Sequence, residues 1–248
     1  MHRTGFSKPD GGSMDNPLGD LDFRPRPNSD RPLLGLTVLV VEDSRYTSEA
    51  LRLLCLRSGA RIRRADCVAS ADRHLNVYRP SVGIVDLGLP DGSGQDVIAR
   101  MAAMDPRVPI ILGTSGDDPD AAETICRAAG ADGFLPKPLD SLAAFQAAIL
   151  EHVPGCVLHG TPRPVEADLI APDSLAFRED LAHAMDLLAL EDPPLGYLRR
   201  FLIGVARSAH DATLEAEATR LGDGLPAAAR VAMRGKLSNR IQALQVPV

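Results

Sequence analysis

The sequence predicts an α/β fold, a doubly wound five-stranded parallel sheet, followed by a small all-α region. Three observations carry that reading. Between residues 35 and 153, short apolar runs alternate with amphipathic stretches of helical length. Glycine or proline closes several of those stretches, as Gly59, Pro80 and Gly130 do. Beyond residue 172 the short runs stop and only the helical period continues.

The strand candidates are 36–41 (LTVLVV), 61–65 (RIRRA), 82–86 (VGIVD), 108–113 (VPIILG) and 132–135 (DGFL). Helix candidates lie between them at 44–58, 68–77, 94–104, 118–129 and 140–152. The first, third and fourth strands are almost wholly apolar, as strands covered on both faces must be. RIRRA carries three arginines and suits an edge, where charge discourages pairing with another chain.

Residues 1–31 are crowded with Gly, Pro, Asp, Asn and Ser, too polar to offset the entropy of ordering, and are expected to form a disordered tail in which Met14 is a candidate start. Residues 154–172 hold four prolines and are expected to be a linker between a domain at 35–153 and a helical domain at 173–248. In that last region Asp173 or Ser174 is placed to cap a helix running to about 190. After Pro193 and Pro194 one long helix is expected to about 221, with a stripe of Leu198, Phe201, Leu202, Val205, Ala209, Ala212 and Ala216. A final helix, about 226–244, carries Ala229, Ala232, Met233, Leu237, Ile241 and Leu244.

Composition narrows the function. In 248 residues, 45% are apolar and 24% charged, the balance of a globular protein, and the net charge of −6 opposes a uniformly basic nucleic-acid binder. Cys55, Cys67, Cys126 and Cys156 stand far apart, with neither zinc-site spacing nor a disulfide framework, and read as thiols in a reducing compartment. No apolar stretch long enough to span a bilayer and no cleavable signal pattern is present, so the expected location is the cytoplasm, with no membrane contact.

Chemistry concentrates where the strands end. LVVEDS places Glu42 and Asp43 side by side after the first strand, and VGIVD ends the third in Asp86. In such sheets ligands bind beyond the carboxyl ends of the strands, where strand order reverses. If the first and third strands are neighbours, three carboxylates meet and repel unless a cation joins them, and Mg²⁺ suits few carboxylates with room for water and phosphate oxygens. GTSG brings Thr114 and Ser115 to the same rim, and FLPKP puts Lys137 on the next loop. Carboxylates, a metal, a hydroxyl and an ammonium make a centre for phosphoryl chemistry. Each residue also has a plainer role: the acids favouring a helix N-terminus, Asp86 capping a turn, Lys137 a solvated charge, Phe134 a core aromatic.

With these motifs in order, residues 36–152 resemble the receiver domain of bacterial two-component response regulators. The acid pair, DLGLPDGSG, PIILGTSG and GADGFLPKP all fall at the family's spacing. The resemblance implies a flavodoxin-like sheet of order 2-1-3-4-5 and Asp86 as phosphoacceptor. It implies Mg²⁺ held by Glu42, Asp43, Asp86 and the carbonyl of Gly88. Thr114 and Lys137 would serve the phosphoryl group, and Thr114 and Phe134 would act as switch residues. Ser115 stands where the family often has alanine, and Pro136 stiffens the loop before Lys137. The implied partner is a histidine kinase or histidine phosphotransfer protein. The implied activity is that of a signalling protein, not an enzyme beyond self-phosphorylation and slow autodephosphorylation. The surface of the fourth helix, fifth strand and fifth helix would carry the response into the linker.

For residues 173–248 three outputs compete: dimerisation or protein binding, DNA binding, and a phosphotransfer bundle. The first is suggested by the alanine-rich stripes, with a homodimer as one form. The second rests on Arg230, Arg234, Lys236 and Arg240 in the last helix, but is not favoured because the helices look too long for a helix-turn-helix. The third would use His183 or His210, and neither is followed by the Lys-Gly usual in such carriers. A rival from another class is a metal-dependent phosphatase-type hydrolase using the same carboxylates. The expected function is therefore a response regulator that accepts a phosphoryl group on Asp86 and signals through its C-terminal helices.

Overall fold

The computed structural model describes residues 27–153, 170, 172–222 and 225–244. Most of the expected tail, with Met14, lies outside the described residues, as do Cys156 and all of the expected linker except 170 and 172.

In chain order the elements begin β1 Thr37–Val41, α1 Arg45–Arg57, β2 Arg61–Ala65, α2 Val68–Leu75 and β3 Val82–Asp86. A two-residue-by-two-residue hairpin follows, β4 Gly88–Leu89 and β5 Gly92–Ser93, then α3 Gly94–Ala103, β6 Ile110–Ser115, α4 Pro119–Ala128, β7 Gly133–Pro136 and α5 Leu142–Leu150. The helical region holds α6 Ser174–Leu188, α7 Leu195–Ser208, α8 Ala212–Thr219 and α9 Ala227–Ala243.

The main sheet runs β2-β1-β3-β6-β7 with every pair parallel, so the expected flavodoxin-like order holds. Its edge strand β2 exposes Arg61, Arg63 and Arg64, while β1, β3 and β6 are buried almost throughout. The chain turns sharply after α1 and α4 because Gly59 and Gly130 take φ of 82° and 102°, backbone that side chains resist. The fourth strand starts two residues later than the expected 108–113. Pro109 has no N–H to donate, and the Val108 N–H instead donates to Met101 O at 3.2 Å, closing the loop from α3.

Side chains alternate to two cores. Val38, Val40, Ile84 and Leu112 pack with Leu51, Leu54, Phe145 and Ile149 of α1 and α5. Leu39, Val41, Val85 and Ile111 pack with Val97, Ile98, Met101 and Cys126 of α3 and α4. A third apolar cluster lies within α6–α9, around Leu181, Leu198, Leu202, Val205, Leu214 and Leu237.

The expectation of one long helix from 195 to 221 is corrected here. The chain breaks between α7 and α8, where His210 has φ of 55° and the Asp211 carboxylate accepts from Leu214 N to cap α8. The break resets the phase: Leu214 and Ala218 are buried, whereas the expected stripe members Ala212 and Ala216 are exposed.

Candidate functional site

β1 and β3 lie side by side, with Val41 opposite Val85, so Glu42 and Asp43 emerge beside Asp86 at the carboxyl edge of the sheet. This is also where order reverses, with the chain leaving β1 toward β2 on one side and β3 toward β6 on the other. One carboxylate oxygen from each of Glu42, Asp43 and Asp86 lies within 4.8 Å of the others. The three expected metal ligands therefore converge, and Gly88 lines the same cavity.

Lys137, just after β7, reaches across to this cluster and is buried. Its Nζ donates to Asp86 Oδ2 at 2.8 Å and lies 2.8 Å from Glu42 Oε2, the latter an ion pair rather than an aligned hydrogen bond. Glu42 Oε1 accepts from Ser44 N at 3.1 Å, and Asp86 Oδ1 accepts from Gly88 N at 3.3 Å. Thr114 is opposite Asp86 in the β3–β6 register, fully buried, and its hydroxyl has no partner. Ser115 Oγ accepts from Asp117 N at 3.0 Å and lines the cavity. Phe134 is half-buried beside the α3–α4 core and makes no part of the cavity wall.

Electrostatics follow from burial and crowding. Burial raises the Glu42 carboxyl well above the carboxylate range, with Lys137 opposing and the neighbouring acids adding to the rise. Burial, then repulsion from Asp86, pushes Asp43 up to about 7. Burial alone would lower Lys137, but Asp86 and Glu42 outweigh it and hold the ammonium charged. Three acids against one ammonium leave the cluster short of positive charge. An all-oxygen donor set of this kind fits a hard dication such as Mg²⁺.

Sequence reasoning missed the groups that arrive from the helical region. The Tyr197 hydroxyl, on α7, donates to Asp43 Oδ2 at 2.5 Å. Arg200, Phe201 and Gly204 of the same helix complete the cavity wall. Asp180, on α6, accepts from Ser44 Oγ at 2.7 Å, Arg45 N at 2.8 Å and Tyr46 N at 3.0 Å, thereby capping α1 from outside it. One signal was available: Asp180 interrupts the apolar stripe of Phe177, Leu181, Ala184 and Leu188, and a buried acid needs partners. The helical region thus packs on α1 and the mouth of the acid cluster. On the side of the expected route through the fourth helix, fifth strand and fifth helix, Arg207 Nη1 donates to Asp117 O just before α4 and His210 Nε2 lies 2.9 Å from Asp140 Oδ2 just before α5.

His210 and three of the four basic residues expected on the last helix have local partners, while Arg234 is exposed. His210 Nε2 lies 2.9 Å from Asp140 Oδ2, and His183 is exposed, edge-on to Phe201. Arg240 donates to Asp211 and Glu217, Lys236 pairs with Glu217, and Arg230 donates to the carbonyls of Leu190 and Glu191. Among the described residues no helix is long and apolar enough to cross a membrane.

The response regulator receiver domain family matches residues 38–149. The transcriptional regulatory protein PhoP of Escherichia coli O157:H7 is 36% identical over 104 residues, 42% of this chain and 46% of that protein. The virulence transcriptional regulatory protein PhoP of Salmonella typhimurium 14028s is 35% identical over the same lengths. The chain thus spans about half the length of the curated relatives it matches. Among solved structures, the receiver domain of the sensor histidine kinase PA1611 from Pseudomonas aeruginosa PAO1, with magnesium coordinated in its active-site cleft, aligns at TM-score 0.44 and 22% identity, covering 48% of this chain and 97% of that one.

Proposed function

We propose that residues 38–149, which the response regulator receiver domain family matches, act as a receiver, and that the chain accepts a phosphoryl group on Asp86 and signals through its C-terminal helices. The observation that carries this reading is the convergence of Asp86, Lys137, Glu42, Asp43 and the unpartnered Thr114 hydroxyl at one sheet edge.

An Asp86 carboxylate oxygen attacks phosphorus of a phosphohistidine or a small acyl phosphate. The bond to the donor nitrogen or oxygen breaks, the electron pair leaves with the donor, and an acyl phosphate remains on Asp86. Lys137, already hydrogen-bonded to that carboxylate, neutralises charge on the transferred oxygens. Thr114 supplies a hydroxyl that has no partner in the resting site and is free to turn toward them. Glu42, Asp43, Asp86 and the Gly88 carbonyl would hold Mg²⁺, which when bound offsets charge on the phosphoryl oxygens. Phe134, beside the α3–α4 core, is positioned to repack when Thr114 moves.

The partners on this reading are a histidine kinase or histidine phosphotransfer protein. Residues 173–248 act as an interaction unit, joined to the receiver through residues 154–172, with homodimerisation as one form. Internal pairing of Arg230, Lys236 and Arg240 favours this over DNA binding through α9.

Incubation with acetyl phosphate and Mg²⁺ tests the reading by intact mass. One phosphoryl group is expected on the native chain and none on Asp86→Asn, since an amide is not a nucleophile. Equal labelling of both chains would place the acceptor elsewhere.

A further inference from the structure

We propose that α7 is a lid on Asp86, closed in this structure, and that the helical region must lift before any phosphodonor reaches the carboxylate. The inference rests on the reading of Asp86 as phosphoacceptor and names the regulation of that site.

Closure is steric. Asp86 is 7% exposed, and the cavity above it, about 10 Å³, has room for roughly one water molecule. A phosphoryl group with its leaving group in line needs several times that space. The wall on the solvent side is α7 itself, through Arg200, Phe201 and Gly204. Gly116, on the loop after β6, meets α7 backbone to backbone. A Cβ built on Gly116 would lie 2.7 Å from Gly204 Cα and 3.0 Å from Gly204 N. A Cβ built on Gly204 would in turn lie 3.5 Å from Lys137 Nζ. Two glycines therefore permit the helix to sit directly over the site.

The join is built to separate. Each side keeps its own apolar cluster, and Tyr46 of α1 is the receiver residue packed against the helical one. What crosses between them is mostly polar. Tyr197 donates to Asp43, Arg207 Nη1 donates to Asp117 O at 2.9 Å, and Thr47 and Ser208 share a hydrogen bond at 3.0 Å. Asp180 holds the start of α1, and Arg45 pairs with Glu179. Such contacts can exchange for water, so opening breaks hydrogen bonds and the Tyr46 contact but leaves each apolar cluster whole. The latch also reads the site: Tyr197 bonds to an expected metal ligand, and Asp117 is three residues from Thr114. A cation has another way in. A groove of about 790 Å³ between the two parts reaches Glu42 and Asp43 from the side, and Asp86 does not line it. The lid therefore gates the phosphodonor, not the metal.

The test uses the full chain with acetyl phosphate and Mg²⁺, reading the initial rate of labelling at Asp86. Gly116→Ala adds one methyl group whose nearest neighbours are the backbone atoms of Gly204 and Ile203 on α7. If the closed form dominates, this variant labels at least about ten times faster than the native chain. Tyr197→Phe removes one latch hydrogen bond and labels about fivefold faster. Both variants should lose hydrogen-exchange protection over residues 195–208, which also reports whether they remain folded elsewhere. Equal rates in all three chains, with protection of 195–208 lost in the variants, would overturn the lid while leaving Asp86 as acceptor. If none of the chains labels at Asp86, the phosphoacceptor reading fails and the gate falls with it.

Discussion

The Thr114 hydroxyl is buried beside Asp86 with no hydrogen-bond partner, a state that costs roughly 1 kcal/mol or more in a resting protein. A folded chain tolerates such an atom where a later state uses it. Thr114→Val keeps the shape and removes the unpaired group. We expect thermal unfolding of the unphosphorylated chain to be unchanged or raised, and the response to beryllofluoride, a mimic of aspartyl phosphate, to be weakened. A loss of more than about 1 kcal/mol of stability would mean that the hydroxyl is bonded at rest. Asp43 gives a pH prediction. Its acid form is favoured by burial and by Asp86, with titration at about 7. The native chain keeps a proton that the unfolded chain loses above about pH 4, so this group makes stability fall as pH rises from about 4 to 7. Mg²⁺ must displace the same proton. Calorimetry should show its affinity climbing between about pH 6 and 8, with protons released below about 7 and little release above; flat affinity over that range would mean that no ligand carboxyl titrates there.

At the scale of elements, α1 shows how the two parts of the chain complete each other. Ser44 accepts from Thr47 N, and Asp180, 135 residues from Arg45 in sequence, takes the Arg45 and Tyr46 N–H groups. Asp180→Ala leaves two donors of the first turn without that acceptor and should lower stability by about 1–2 kcal/mol in chemical denaturation, with Asn restoring part of it. No change with Ala would mean that water replaces the carboxylate. Most elements are legible in the residues themselves. β2, β3 and the start of α3 follow from alternation, apolar runs and the capping Ser93, which act within a few positions, whereas the first N–H groups of α2, on Val68 and Ala69, donate to the distant Asp91. The break after α7 is not legible, because Ala209, Ala212 and Ala216 continue the stripe and nothing in AHDA forbids a helix; His210 is held at positive φ while bonded to Asp140. The β4–β5 hairpin, two residues a side, is too short for any periodic signal. The acids of the site are legible because strand ends collect them. Tyr197, Asp180, Gly116 and Gly204 are not, since their role is set by packing between segments 88 to 154 residues apart.

For the whole molecule, the five-stranded sheet and helices α6–α9 meet at the mouth of the acid cluster. On the proposed reading, a phosphoryl group on Asp86 would compete for the space α7 occupies, and modification at one point would bias the contact between the two parts. A difference of about 1–3 kcal/mol between closed and open forms suffices to couple them. Beryllofluoride with Mg²⁺ should therefore raise hydrogen exchange in α7 and at the start of α6. Identical exchange with and without the mimic would leave the helices as a passive neighbour. All of this depends on which carboxylate carries the phosphoryl group, since Glu42, Asp43 and Asp86 lie together. The direct measurement is to treat the chain with acetyl phosphate and Mg²⁺, reduce the acyl phosphate with borohydride to the alcohol, and sequence the peptides by mass spectrometry. The account predicts homoserine in place of Asp86 and unmodified Glu42 and Asp43; reduction at either of those acids, with Asp86 intact, would contradict it.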